Sequence, residues 1–306
     1  MESAKKILIT GGSGMIGTRL TALLTARGYR VSHLVRSRRD SSVNSFIWNP
    51  DRNEIDINAL QDVDVIIHLA GKGVADKRWN AQHKKEILSS RTDSVRLLNK
   101  TLAKADHHVS TFISASGISY YGLGDPPGNA FVESDPSATD FMARVTVAWE
   151  KEVLAISEPA IRKVMIRTGV VLSRTGGALA KLITPVKYFV GAPLGSGKQY
   201  TNWIHLDDLC GIYIKAIEDP LMSGAYNAVA PNPVTNKELT REIARVLKRP
   251  LWLPPVPGFL VKLIAGEVAE VVLKGGKISS KRIENEGFEF EFREVRPALE
   301  DLLARS

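Results

Sequence analysis

The residues best placed to do chemistry are the glycines of Thr10-Gly11-Gly12-Ser13-Gly14-Met15-Ile16-Gly17. They follow Lys5-Lys6-Ile7-Leu8-Ile9, which reads as a short buried strand, and precede Leu20, Leu23 and Leu24 at helical spacing. A glycine-rich turn between a strand and a helix is the setting in which a dinucleotide binds. Gly11 permits the tight turn, Gly14 lets the backbone approach a pyrophosphate, and Gly17 lets the helix pack close to the strand. The first helical turn then offers amide groups without intrahelical partners, and a positive dipole end, to the phosphates. Glycines also mark ligand-free turns; the strand and helix on either side favour the nucleotide.

The end of the second strand chooses between the two pyridine nucleotides. An acidic residue there meets a free ribose, whereas an arginine accommodates a 2′-phosphate. The chain has Leu34-Val35-Arg36-Ser37-Arg38-Arg39, and Asp40 comes too late. A guanidinium matches a phosphate with several fixed donors. The reading is therefore NADP(H), with Arg36 as the main ligand and Ser37 and Arg38 or Arg39 as helpers. The alternative is a surface loop that is merely basic.

These residues need elements to position them. Strands are expected at 30–35, 63–69, 109–115 and 161–166, with helices at roughly 17–27, 79–104 and 140–157 between them. Alternating short strands and longer helices argue for a parallel sheet covered on both faces, with ligand at the carboxyl ends of the strands. Beyond about residue 170 the pattern loosens, and glycines and prolines crowd 176–197. A helix starts near His205-Leu206-Asp207-Asp208, whose carboxylates suit a helix N-terminus. A short strand at 225–228, a helix at 236–248, one amphipathic helix over 258–274 and a last helix near 295–304 complete the reading.

Composition sets bounds. The chain has 306 residues, enough for one large domain or two unequal ones. No apolar run approaches bilayer length, and Met1-Glu2-Ser3-Ala4 shows no signal-peptide pattern. The single cysteine, Cys210, fits a reducing, cytoplasmic setting. The net charge of +8 invites a nucleic-acid partner, but acidic residues interleave with most of the basic ones. The basic stretch from Lys77 to Lys104 reads as a solvated helix face, and a pocket for a phosphorylated cofactor explains part of the excess. No His, Cys and acid spacing suggests a metal site.

Taken together, the glycine turn and His68-Leu69-Ala70-Gly71 resemble the extended short-chain dehydrogenase/reductase superfamily. Further motifs narrow the likeness to its atypical, epimerase-like (YfcH-like) group with a small C-terminal domain of unknown function. They are Ser114-Ala115-Ser116 with Tyr120-Tyr121-Gly122, Trp149-Glu150, Arg167-Thr168-Gly169-Val170-Val171-Leu172, Leu194-Gly195-Ser196-Gly197, Trp203-Ile204-His205-Leu206-Asp207-Asp208 and Tyr226-Asn227-Ala228. The resemblance implies that Leu69, Ala70, Gly71, Ser114 and Arg167 join the cofactor side, and that Tyr120, Gly195, Trp203 and His205 edge a substrate pocket. It also implies hydride transfer assisted by a Ser or Thr and a Tyr-x-x-x-Lys pair.

The chain departs from that relay. Helix 140–157 contains no tyrosine; if Glu150 matches the family's acid, Met142 and Thr146 occupy the Tyr and Lys positions, and counting back from Tyr121-Gly122 puts Gly117 at the serine position beside Ser116. Ser116, Tyr120 and Tyr121 lie just past the end of a central strand, with Ser116 and Tyr121 the candidate substitutes; the alternative is that both rings pack or only shape the pocket. His205 with Asp207 or Asp208 is another acid–base option, set against an N-cap cluster beside a packed Trp203. Arg91 could reach a phosphate or a partner helix. Backbone amides of Gly176-Gly177 and of 191–197 could hold an anionic or hydroxylated ligand.

The expectation is thus an α/β, Rossmann-type doubly wound parallel sheet over 1–172, with 203–230 returning to it. A smaller, mostly helical substrate lobe comprises 173–202 and 231–306. The function expected is an NADP(H)-binding oxidoreductase or epimerase-like enzyme acting on a small molecule, without nucleic-acid or membrane partners, and able to form a homodimer. A non-catalytic NADP(H) sensor is the rival.

Overall fold

The computed structural model describes residues 4–37 and 43–303. In chain order the elements are β1 (Lys6–Thr10), α1 (Met15–Ala26), β2 (Arg30–Val35), β3 (Asn44–Asn49), β4 (Glu54–Ile55), β5 (Val65–His68), α2 (Ala81–Leu102), β6 (Thr111–Gly117), α3 (Phe141–Leu154), β7 (Arg162–Thr168) and β8 (Val170–Leu172). They continue with α4 (Gly177–Lys187), β9 (Tyr200–Thr201), β10 (Trp203–His205), α5 (Leu206–Glu218), β11 (Gly224–Ala228), β12 (Val234–Thr235), α6 (Asn236–Val246), α7 (Gly258–Ala265), α8 (Ala269–Leu273), α9 (Lys281–Asn285) and α10 (Val295–Leu303).

Eight strands form one sheet in the order β11-β7-β6-β5-β1-β2-β3-β4. All neighbours are parallel except β3 and β4. The chain leaves β1 toward β2 on one side and resumes at β5 on the other. That reversal makes the crevice in which doubly wound folds bind ligands.

Side-chain alternation explains why both faces are covered. Ile7 and Ile9 point to one core and Leu8 to the other, all fully buried. On the first face, Leu20 and Leu24 of α1 meet Ile212 and Tyr213 of α5. On the second, Val95 and Leu98 of α2 meet Trp149 and Val153 of α3. Each fully buried aliphatic side chain of this kind contributes about 1.5–3 kcal/mol.

The remaining elements build a lobe beside the sheet. Leu172, Leu179, Trp203, Leu239, Ile243 and Leu299 share a third core. Two small sheets, β8 with β10 and β9 with β12, tie it to the main body. Ile283 and Phe290 join the main core, so the C-terminal segment closes back over the sheet edge.

Three readings need correction. The helix expected over 258–274 is broken: Gly266 takes φ +63°, and α7 gives way to a short 3₁₀ turn and then α8. The irregular stretch after 176 contains α4, which even accommodates Pro185. Strands β3 and β4 lie outside the expected set because Asn, Ser and Glu interrupt their apolar positions.

Candidate functional site

Two cavities lie at the carboxyl ends of the parallel strands. The first, of about 550 Å³, spans the ends of β1, β2 and β5. Gly11, Gly12 and Ser13 border it, with Arg36, Ser37, Ala70 and Gly71. Its wall also includes His33, Trp48, Lys72, Ser90 and Ser94, which the motif reading passed over. No carboxylate lines it among the described residues.

The turn is compressed for a reason. Gly11 has φ +70°, and a Cβ there would lie 3.0 Å from the Ala70 nitrogen. A Cβ on Gly17 would fall 2.5 Å from the Gly11 carbonyl oxygen, so α1 packs directly on the turn. One on Gly12 would strike the His33 ring at 2.6 Å. Gly14 differs: only the Gly11 oxygen, at 3.3 Å, would meet its Cβ. Gly14 is the N-cap of α1, no side chain caps the helix, and no acid occupies its first turn. The start of α1 is therefore open to an anion. Met15 and Ile16 turn their side chains into the core.

His68 pins the turn to the opposite loop. Thr10 Oγ1 accepts from the Leu69 and Ala70 amides, both at 3.2 Å, so its own proton goes to His68 Nδ1 at 2.7 Å. His68 Nε2 then donates to Ser94 Oγ at 3.1 Å. Burial, with the Arg91 charge adding to it, pushes His68 down to about 3, so the ring is neutral. Arg91 holds the loop in place by donating to the carbonyls of Lys72 (3.1 Å) and Ile87 (2.9 Å), and it stacks on Trp149. Neither His68 nor Arg91 borders the cavity.

The second cavity, of about 450 Å³, lies past the ends of β6 and β7. Trp79, Phe131, Phe141, Met142, Val271 and Ile278 give it apolar walls, and α8 closes one side. Ser119 faces it and is 2.7 Å from Thr146 Oγ1. Tyr121 contributes its ring, stacked on Phe131, but its hydroxyl is engaged elsewhere. That hydroxyl donates to Asn227 Oδ1 at 2.8 Å and accepts from Arg167 at 2.9 Å. Burial raises Tyr121 to about 12.

Several expected residues stand elsewhere. Ser116, expected as a catalytic hydroxyl, borders neither cavity and donates to Glu150 Oε1 at 2.6 Å. Arg167, expected on the cofactor, is buried in a two-pronged bond with the same carboxylate, and its guanidinium lies 3.5 Å from the Tyr120 ring centroid. Ser114 is fully buried and bonds the Ala115 carbonyl. Leu69 is partly buried and packs against the first core. Of the four residues expected in the substrate pocket, Tyr120, Gly195, Trp203 and His205, none lines the cavity, whereas Tyr121, Tyr200 and Asn202 do. Trp203 is a core residue donating to the Asn232 carbonyl. His205 caps α5 by accepting from the Asp207 amide at 3.1 Å, with Phe292 against its ring. The amides of Gly195 and Gly197 are taken by Val256 and Leu194, so that loop has no free donors at these glycines. Arg38 and Arg39 lie outside the described residues. Nothing local in the sequence pairs Arg167 with Glu150, seventeen positions away; only the fold does.

Among the described residues there is no metal-ligating cluster, and no helix is long and apolar enough to cross a membrane.

Comparison with known proteins agrees with this architecture. Residues 7–229 match the NAD dependent epimerase/dehydratase family, and residues 256–302 match a domain of unknown function, DUF1731. A chloroplastic homologue of epimerase family protein SDR39U1 from Arabidopsis thaliana is 37% identical, covering 99% of this chain and 88% of its own. The crystal structure of human epimerase family protein SDR39U1 with NADPH superposes with a TM-score of 0.89 at 31% identity, covering 98% of this chain and all of that one. MoeE5, solved with UDP-glucose and NAD, shares the fold at a TM-score of 0.79 and 18% identity over 98% of this chain and 97% of its own. The chain belongs to the NAD dependent epimerase/dehydratase family.

Proposed function

We propose that this family member is an NADP(H)-binding oxidoreductase or epimerase-like enzyme acting on a small molecule. The first cavity suits the cofactor's charge. It has no lining carboxylate, it meets the uncapped start of α1, and Arg36 is exposed on its wall without an ion pair among the described residues. The Gly14 face is open where a phosphate would approach. The single observation that carries the reading is the human relative's NADPH-bound structure together with Arg36 at the end of β2. When bound, NADP(H) supplies or accepts a hydride. Residues 11–17 would then hold the pyrophosphate by backbone amides, and Arg36 and Ser37 the 2′-phosphate. On this reading 1–172 with 203–230 carries the nucleotide, and 173–202 with 231–306 shapes the substrate side.

A second reading has its own support. Helix α3 carries no tyrosine, and the Tyr121 hydroxyl is closed inside a buried network. A non-catalytic NADP(H) sensor needs the first cavity only.

Calorimetric titration with NADPH and NADH tests the cofactor assignment. NADPH is expected to bind more tightly, and absence of binding by both at millimolar concentration refutes it. Following nicotinamide absorbance against a carbonyl panel separates the enzyme from the sensor: turnover supports the first, and tight binding with no turnover supports the second.

A further inference from the structure

The two cavities differ in the charged side chains that line them. The second is lined by three carboxylates, Asp140, Glu267 and Glu270, and a single cation, Lys274. That cation is already engaged, since its ammonium lies 2.7 Å from Glu270, which also pairs with Lys262 at 2.6 Å. Glu267 is paired with Lys84. Asp140 caps α3, accepting from the Met142 and Ala143 amides at 3.0 and 3.2 Å. Arg78, next to the wall residue Trp79, is occupied by the carbonyls of Leu263 and Ile264. Among the described residues a diphosphate entering here would find no unengaged lining cation, and would have to break an existing ion pair to gain one.

Most of the neutral polar groups are committed as well. Asn202 spends its amide on the Gly276 carbonyl and its oxygen on the Ile278 amide. Thr168 donates to the Ile166 carbonyl, and Tyr121 is closed in its own network. Ser119 is an exception at the inner wall, and the Tyr200 ring, 39% exposed, stands toward solvent. Thr146 donates to the Met142 carbonyl at 2.9 Å, so it accepts from Ser119, whose lone pairs then face the cavity. The Met142 carbonyl already serves the helix ladder. The Thr146 proton is therefore free to swing to Ser119, and Ser119 then donates to the cavity instead. The pair adapts to an acceptor or a donor.

We propose that this cavity takes an uncharged, largely apolar small molecule that presents one carbonyl or hydroxyl oxygen to Ser119, and that it rejects nucleoside diphosphates. The proposal rests on the functional reading above only in naming this cavity as the substrate side. Trp79 and Phe141, with ring centroids 5.0 Å apart, form an aromatic corner suited to a ring.

The test uses acetophenone, 2-acetonaphthone, UDP and UDP-glucose as probes, by calorimetry and ligand-observed NMR, on the full chain with and without NADPH. The ketones are expected to bind and the uridine nucleotides not to. Ser119→Ala should weaken ketone binding about ten-fold, the effect of one lost hydrogen bond in a dry site. Val271→Trp, at a wall position 41% exposed, should block ketone binding. Both variants should bind NADPH like the parent. Uridine nucleotides binding more tightly than the ketones would overturn the proposal, as would ketones failing at millimolar concentration or ignoring Ser119→Ala. The NADPH titration on the same samples reads the cofactor assignment separately. Loss of NADPH binding with ketone binding retained would sink that assignment and leave this one standing.

Discussion

Arg167 grips Glu150 with two parallel hydrogen bonds, Nε to Oε1 at 2.9 Å and Nη2 to Oε2 at 2.8 Å, both side chains nearly out of solvent. Ser116 donates to the same Oε1, and Arg167 reaches on to the Tyr121 hydroxyl and the Glu133 carbonyl. Glu133 in turn accepts from the Asn227 amide at 2.8 Å. The network joins β6, α3, β7 and β11 directly behind the Tyr121 wall of the second cavity. It fixes that wall without entering the cavity.

Such a pair is costly to break from one side, because the surviving charge stays buried. Arg167→Met should destabilise the fold by about 3–5 kcal/mol. Adding Glu150→Leu to it should restore a large part of the loss, since both charges are then gone. Urea unfolding of the two variants measures this. A single-variant loss below about 1 kcal/mol would mean that the pair is not closed from solvent.

Acid should destabilise the protein through its buried histidines. Burial lowers His33, His68 and His205, with His68 at about 3. The unfolded chain takes up protons near 6.5, whereas the folded rings stay neutral until lower pH. Their contribution is therefore complete above about pH 6.5 and declines as pH falls toward the folded values, for His68 by roughly 1.4 kcal/mol per pH unit. Asp208 works in the other direction: burial raises it to about 6 from 3.8, which adds stability as pH falls through that interval. Asp208 offsets one ring, and His33 and His205 are lowered in the same direction as His68. The urea midpoint should fall from about pH 7 to about pH 5, and His68→Gln should flatten the slope by about one proton. An unchanged slope would show that His68 is not held neutral.

What the sequence reveals divides along a physical line. The β1–turn–α1 unit and β2 were readable because their signals are local: a continuous apolar run, glycines at fixed spacing, leucines at helical spacing. The position of Arg36 just past β2, on the wall of the first cavity, is legible for the same reason. The partners of Ser116, Arg167 and Tyr121 were not, since they come from strands and helices brought together only by the sheet order. The break at Gly266 escaped notice because apolar residues continue on both sides of it, and only the backbone turn interrupts the helix. His33 was read as part of a strand, yet its ring lies over Gly12 because that strand neighbours β1.

Selectivity between the two pyridine nucleotides should rest on Arg36. A charge-assisted contact to phosphate is worth about 1.5–3 kcal/mol. Arg36→Ala should therefore weaken NADPH by about ten- to a hundred-fold and leave NADH nearly unchanged. Calorimetry with both nucleotides reads the difference. Equal losses would remove the 2′-phosphate role from this side chain.

The glycines of the turn should separate stability from binding. A methyl at position 17 would sit 2.5 Å from the Gly11 carbonyl oxygen, a backbone atom that cannot move without shifting the turn. Gly17→Ala should cost about 1–3 kcal/mol, as overpacking does, with NADPH binding falling as a consequence. At position 14 the methyl meets only that same oxygen, at 3.3 Å, and otherwise projects from the open start of α1. Gly14→Ala should fold with nearly parental stability and still lose NADPH, because its methyl occupies the space a phosphate needs above the helix. Thermal unfolding paired with NADPH titration distinguishes the two. If Gly14→Ala binds NADPH like the parent, no phosphate approaches that face, and the amides opening α1 serve the fold alone.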